Sequence, residues 1–264
     1  MELLLGFALG LLVGYTAFRL GALTAGGAAA AIIVGGLIFG LGGVPWASLL
    51  LLFFLSSSLL SRAYRRRKES MNLKFAKGSQ RDQGQVIANG GLAAGLVLVH
   101  WYYPHLEGVW IAFAGCMAAV NADTWATELG VLSRTSPRLI TNGKVVPKGT
   151  SGGVSLVGYL ATLAGASLIA VAAAFFTPSP AHIIPMVITG GLAGATIDSI
   201  LGATIQGIYY CPVCDKETES HPEHHCGTGT TQIRGWRWVN NDVVNLICSL
   251  IGAGVALGGW ILVR

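Results

Sequence analysis

The stretch Val109-Trp-Ile-Ala-Phe-Ala-Gly-Cys-Met-Ala-Ala-Val-Asn-Ala-Asp-Thr-Trp-Ala-Thr-Glu-Leu-Gly130 decides the architecture. It has the roughly 20 residues that an α-helix needs to cross a bilayer, and it stays apolar as far as Val120. Comparable hydrophobic stretches recur on both sides, at 3–18, 22–41, 44–61, 86–103, 152–176, 182–208 and 240–262. Composition agrees, because only 11% of the 264 residues are charged and 53% are hydrophobic, where a soluble globular chain carries about 25% charged residues. These features predict an all-α, polytopic transmembrane bundle of about eight spans, forming a single integral membrane domain over residues 1–264. The first stretch has no basic residue ahead of it and no small-residue cleavage site leading to a soluble domain, so it reads as a retained helix.

Orientation follows from the basic residues. Arg62, Arg65, Arg66, Arg67, Lys68, Lys74, Lys77 and Arg81 lie between the third and fourth spans, and the positive-inside rule assigns that loop to the cytoplasm. Alternating from there, the loops at about 62–85, 131–151 and 209–239 are cytoplasmic, both termini lie outside, and every Lys and Arg except Arg264 falls inside. The expected location is the cell membrane. The basic cluster is accounted for by orientation and anionic headgroups, with no nucleic acid implied.

Ionisable residues inside spans cost roughly 2.5–3.5 kcal/mol each on insertion scales, which makes them functional candidates. Asp123 and Glu128 lie in the opening stretch, Asp198 in Ala195-Thr-Ile-Asp-Ser-Ile-Leu-Gly-Ala-Thr-Ile-Gln206, and Asp242 in Asn240-Asn-Asp-Val-Val-Asn245. All four fall toward the cytoplasmic ends of their spans. Converging carboxylates repel unless a hard divalent cation takes them as ligands, so Mg²⁺ is expected on Asp123, Asp198 and Asp242. Asn121, Thr124 and Glu128 share one helix face, and Asp123 points elsewhere. Either Asp123 meets a neighbouring helix or the helix is broken there. Polar companions at the same level are Ser199, Gln206, Asn241 and Asn245, joined by Arg81, Gln85 and Asn89 at the entry to the fourth span.

The loop Thr141-Asn-Gly-Lys-Val-Val-Pro-Lys-Gly-Thr-Ser-Gly-Gly153 reads as a phosphate cradle. Lys144 and Lys148 supply charge, Thr150 and Ser151 hydroxyls, and Gly149, Gly152 and Gly153 allow close approach of backbone N–H groups at a helix N-terminus. The Walker spacing is missing. Further along, Cys211-Pro-Val-Cys214 precedes His221, His224, His225 and Cys226, and in a cytoplasmic loop this pattern suits a structural zinc ion better than disulfides. The expected ligands are Cys211, Cys214, His225 and Cys226.

The motifs Asn121–Gly130, Thr141–Gly153, Ala195–Gln206 and Asn240–Asn245, in that order, resemble the integral-membrane family that contains plant phytyl-phosphate kinase and transmembrane protein 19, the DUF92 type. The resemblance implies transfer of a phosphoryl group from a nucleoside triphosphate to an isoprenoid monophosphate. A more distant likeness to the phytol and dolichol kinases implies CTP as donor. On this reading Asp123, Asp198 and Asp242 hold Mg²⁺, Lys144, Lys148 and the Gly149–Gly153 backbone hold phosphates, and Asn121, Glu128 and Asn245 orient the reactants. The alternatives are another lipid phosphotransferase, such as a cytidylyltransferase, and a transporter of a phosphorylated lipid. Asymmetric placement of the acids away from the midplane disfavours the transporter.

Overall fold

The computed structural model describes residues 2–70 and 80–263, apart from the side chains of residues 65–70. Lys74 and Lys77, and the side chains of Arg65, Arg66, Arg67 and Lys68, therefore lie outside the described residues. The described residues form eight α-helices in order: α1 (Glu2–Arg19), α2 (Ala25–Leu37), α3 (Gly43–Ser70), α4 (Gln83–Tyr102), α5 (Glu107–Gly130), α6 (Leu156–Ala174), α7 (Pro180–Thr204) and α8 (Asn241–Val263). A π-helical turn, Ile38–Gly42, joins α2 to α3 and ends at Gly43, whose φ of +71° is open to glycine at no steric cost. The chain folds back there, so Phe54 of α3 packs beside Leu23 and Ala28 at the start of α2.

Among the described residues, five helical stretches are long and apolar enough to cross a membrane: Glu2–Arg19, Ala25–Tyr64, Leu156–Ala174, Pro180–Thr204 and Asn241–Val263. The second contains the fold-back at Gly43. Helix α5 has the length with a more polar end, and its surroundings explain why: from Gly108 to Ala122 only Trp110 escapes full burial. A helix ringed by other helices needs no lipid-facing surface, so it can carry Asn121, Asp123 and Glu128.

Small residues let the helices close around α5. A side chain at Gly115 would meet the Gly252 carbonyl of α8 at 2.5 Å, and one at Gly252 would meet the Ala119 Cβ at 2.4 Å, so α5 and α8 touch backbone to backbone. Many large apolar side chains face outward, with Leu4, Leu12, Leu156 and Leu160 all exposed. Small residues at helix contacts and large apolar side chains on the outer surface are the pattern of a bundle solvated by lipid.

Two departures from the expected spans matter for the site. Helix α3 runs on to Ser70, into the basic segment read as loop from residue 62. Helix α5 is continuous through Asp123, which removes the broken-helix alternative. The segments between helices at this end also carry strands. β1 (Arg138–Leu139) pairs with β2 (Gly153–Val154), and β3 (Ile208–Cys211), β4 (Lys216–Thr218) and β5 (Thr231–Arg234) form an antiparallel sheet in the order β4-β3-β5. The short strands gave too few alternating residues to be read against a Cys/His-rich background.

Candidate active site at one end of the bundle

The ends of α3, α5 and α7 and the starts of α4, α6 and α8 meet at one end of the bundle, around a cleft of about 640 Å³. Carboxylates enter from the C-terminal halves of α5 and α7, where Asp123 and Asp198 both line the cleft and Asp198 feels the charge of Asp123. Glu219, following β4, acts on Asp198 as well. Glu128 also lines the cleft and accepts a hydrogen bond from Ser61 Oγ at 2.6 Å. Asp198 Oδ2 is buried and has no hydrogen-bond partner. A buried carboxylate oxygen without a hydrogen-bond partner, in a cleft lined by four acids, is a donor that suits a hard cation. These residues fit Mg²⁺.

The same cleft favours phosphate. Helices α4, α6 and α8 present their N-termini to it through Gln85, Gly158 and Asn241, and aligned peptide dipoles make such termini electropositive. Asp82 caps α4 by accepting from Gln85 N at 2.9 Å, and Ser155 caps α6 by accepting from Gly158 N at 3.1 Å. Gln85 Oε1 and Thr150 Oγ1 are buried in the cleft wall without partners. Asn89, Thr124, Ser199, Gln206 and Asn245 complete its polar lining.

The Lys148–Gly153 loop lies against the end of α7. Gly152, at φ +80°, sits so close to Ala203 that a Cβ would fall 2.4 Å from the Ala203 Cβ. Ser151 Oγ donates to Glu219 at 2.6 Å, and Gln206 Nε2 donates to the same carboxylate oxygen at 2.9 Å. Glu219 thus fastens the loop, the end of α7 and the sheet together. The backbone cradle offers less than its glycines suggest, because the Gly153 and Thr150 amides already donate to the Thr150 and Pro147 carbonyls. Lys148 Nζ lines the cleft while donating to the carbonyls of Ser133 at 2.6 Å and Val131 at 3.3 Å, just beyond the C-terminus of α5.

Four residues named from the sequence take places other than those expected. Lys144 is exposed in the β-turn region beyond β1, outside the cleft, because the chain turns at Gly143, whose φ is +70°. Asp242 lies in the first turn of α8 but off the cleft, since Asn241 and Asn245 occupy the inward face. Asn121 is wholly buried and committed to packing: it accepts from Ser56 at 3.1 Å and donates to the Gly165 carbonyl at 2.8 Å, tying α5 to α3 and α6. His225 is exposed and lines the cleft, while the cysteines gather around His224 instead. Arg81 does line the cleft, held by Ser57 and Ser58, each at 2.9 Å, and by the rings of Phe53 and Phe54.

With this geometry in hand, the chain can be set beside known proteins. The family described as integral membrane protein DUF92 matches residues 8–253. The chain belongs to that family. Among curated DUF92-like relatives, it is 35% identical to Protein PGR of Arabidopsis thaliana over 79% of each chain. It is 28% identical to Protein VTE6, chloroplastic, of the same plant over 89% of this chain and 64% of that one, and 25% identical to the uncharacterized membrane protein sll0875 of Synechocystis over 83% and 78%. No solved structure matches it.

The DUF92 chain's cleft also contains residues that its sequence did not single out. Ser61, Lys216 and Glu219 line it. Glu219 and Lys216 lie among ordinary loop charges, and only the pairing of β3 with β4 turns them inward. Beside them, Cys211, Cys214, His224 and Cys226 bring their ligand atoms within 4.8 Å of one another. There the Thr228 hydroxyl and the His224 ring stabilise the Cys226 thiolate and draw the thiol down to about 5, whereas hydrogen bonding to Cys226 pushes Cys214 up to about 11. Cys116 and Cys248 are buried within α5 and α8, apart from this cluster.

Proposed function

We propose that this protein is a membrane-embedded kinase of isoprenoid monophosphates, such as phytyl phosphate, using a nucleoside triphosphate, CTP among the candidates, to form the prenyl diphosphate. The observation that carries the proposal is that Asp123 and Asp198 line one cleft together with three helix N-termini and the Lys148–Gly153 loop. Family membership and the relationship to Protein VTE6 support it. Acid pairs and anion-attracting termini belong together where a metal–phosphate complex is bound, and neither is of use to a purely structural bundle.

In the proposed reaction an oxygen of the prenyl monophosphate attacks the γ-phosphorus of the nucleotide. The bond from that phosphorus to the β–γ bridging oxygen breaks, and the nucleoside diphosphate leaves with the bond's electron pair. Asp123 and Asp198 would hold Mg²⁺, which supplies charge neutralisation of the donor phosphates. Lys148, Thr150 and the start of α6 would orient those phosphates, and Gln85, Asn89 and Asn245 the acceptor. No general base is needed, since the acceptor is already an anion. The positive-inside rule supports a cytoplasmic location for the cleft, with the prenyl chain running between helices into the membrane.

Purified protein given geranylgeranyl or phytyl monophosphate, Mg²⁺ and CTP or ATP is expected to yield the diphosphate. Turnover by the Asp123→Asn variant equal to that of the unmodified protein would overturn the assignment of the acids.

A further inference from the structure

The geometry points to a closed, structural zinc site formed by Cys211, Cys214, His224 and Cys226, which holds one wall of the cleft in place. Zinc bonds of about 2.3 Å to sulfur and 2.0–2.1 Å to nitrogen, at tetrahedral angles, put S···S at about 3.8 Å and S···N at about 3.6 Å. Cys211 and Cys226 stand with their sulfurs 3.6 Å apart, and His224 Nδ1 lies 3.3 Å from the Cys226 sulfur. A disulfide would need the sulfurs at about 2.05 Å. All four ligand atoms lie within 4.8 Å of one another, close enough to share one ion.

The ligands are pre-positioned by the backbone. Cys211 ends β3, Cys214 lies in the turn to β4, and the knuckle is closed by pairing of Cys211 with Lys216. His224 is buried, with its amide donating to the Thr228 carbonyl and its own carbonyl accepting from Gly227. Three sulfurs and one imidazole fill a tetrahedral site, leaving no position for a substrate, so the ion's role is structural.

Its consequence reaches the cleft. The knuckle fixes β4, which continues into Glu219, the carboxylate that fastens Ser151 and Gln206. On its far side the sheet is anchored by Arg234, which donates to the carbonyls of Ala203 at 2.6 Å and Gly202 at 3.1 Å. A sheet of three short strands has little apolar core of its own, and metal supplies the folding energy that such units lack.

Elemental analysis of the purified full-length protein after dialysis against chelator-free buffer tests this directly. One zinc per chain is expected, retained by His225→Ala and lost by His224→Ala. Substituting Co²⁺ in the unmodified protein should give the absorption of tetrahedral thiolate coordination, a readout that does not depend on any variant folding. Absence of zinc, iron in its place, or zinc kept by His224→Ala and lost by His225→Ala would each overturn the site. Stripping the metal should speed amide hydrogen exchange in residues 208–234 and 148–153 by roughly tenfold or more, leaving α1 unchanged. Unchanged exchange in 148–153 would refute the link to the cleft. None of these readouts requires phosphoryl transfer, so they stand or fall apart from the proposed kinase reaction.

Discussion

Replacing Gly152 by alanine separates two roles that a glycine plays in the loop bordering the cleft. At φ +80° an L-residue costs about 1–2 kcal/mol for conformation alone. Its new methyl would also lie 2.4–2.5 Å from the Cβ, Cα and N of Ala203, and the last two are helix backbone that cannot step aside. Overpacking of this kind costs about 1–3 kcal/mol further. Gly143 is the internal control, because its φ is +70° and a methyl added there would meet nothing within 4 Å. Gly143→Ala should therefore show the conformational cost by itself. At about 2–4 °C per kcal/mol for a chain of this size, Gly152→Ala should melt about 2–12 °C below Gly143→Ala in detergent. It should also lose turnover, since the Lys148–Gly153 loop can no longer seat against the end of α7. Equal melting temperatures for the two variants would refute the close approach of loop and helix.

Asn121→Ala is expected to lower stability by about 1–3 kcal/mol through loss of two interhelical hydrogen bonds, with KM unchanged at temperatures where the protein stays folded. A rise in KM without a fall in melting temperature would return Asn121 to the substrate site. Lys148→Ala should cut kcat/KM by at least about tenfold, a loss of about 1.4 kcal/mol of transition-state stabilisation, while Lys144→Ala leaves it within about threefold. Steady-state kinetics on the pair decides between the exposed turn and the cleft as the place where phosphate binds. Glu219→Ala should destabilise the loop that Ser151 and Gln206 tie to it and raise the nucleotide KM, measured in the same assay.

Hydropathy made the helices legible, because lipid imposes a span length that a sequence cannot disguise. The positions of α5, α7 and α8 follow from the sequence within a few residues. The acids were legible for a related reason: a carboxylate in a span stands out against its surroundings, and Asp123 and Asp198 both line the cleft. What the sequence could not rank were residues of equal polarity one position apart. Asp242 and Asn241 differ by about 100° around the same helix, and His224 and His225 by one step of a turn, so the choice between them is made by tertiary packing. Asn121 looked like a ligand for the same reason that Asp123 did, and only its bonds to Ser56 and Gly165 reveal a strut between helices. Glu219 escaped notice because nothing local distinguishes it from Glu217. Its place in the cleft depends on a sheet built from segments with little strand signal.

The most direct test of the central claim uses two preparations of the nucleotide, one radiolabelled at the γ-phosphorus and one at the α-phosphorus, each incubated with the protein, Mg²⁺ and a prenyl monophosphate. A kinase acting through the Asp123–Asp198 cleft moves only the γ label into the lipid product, and the Asp198→Asn variant moves neither. Transfer of the α label to the lipid would instead make the protein a nucleotidyltransferase and contradict the proposed reaction.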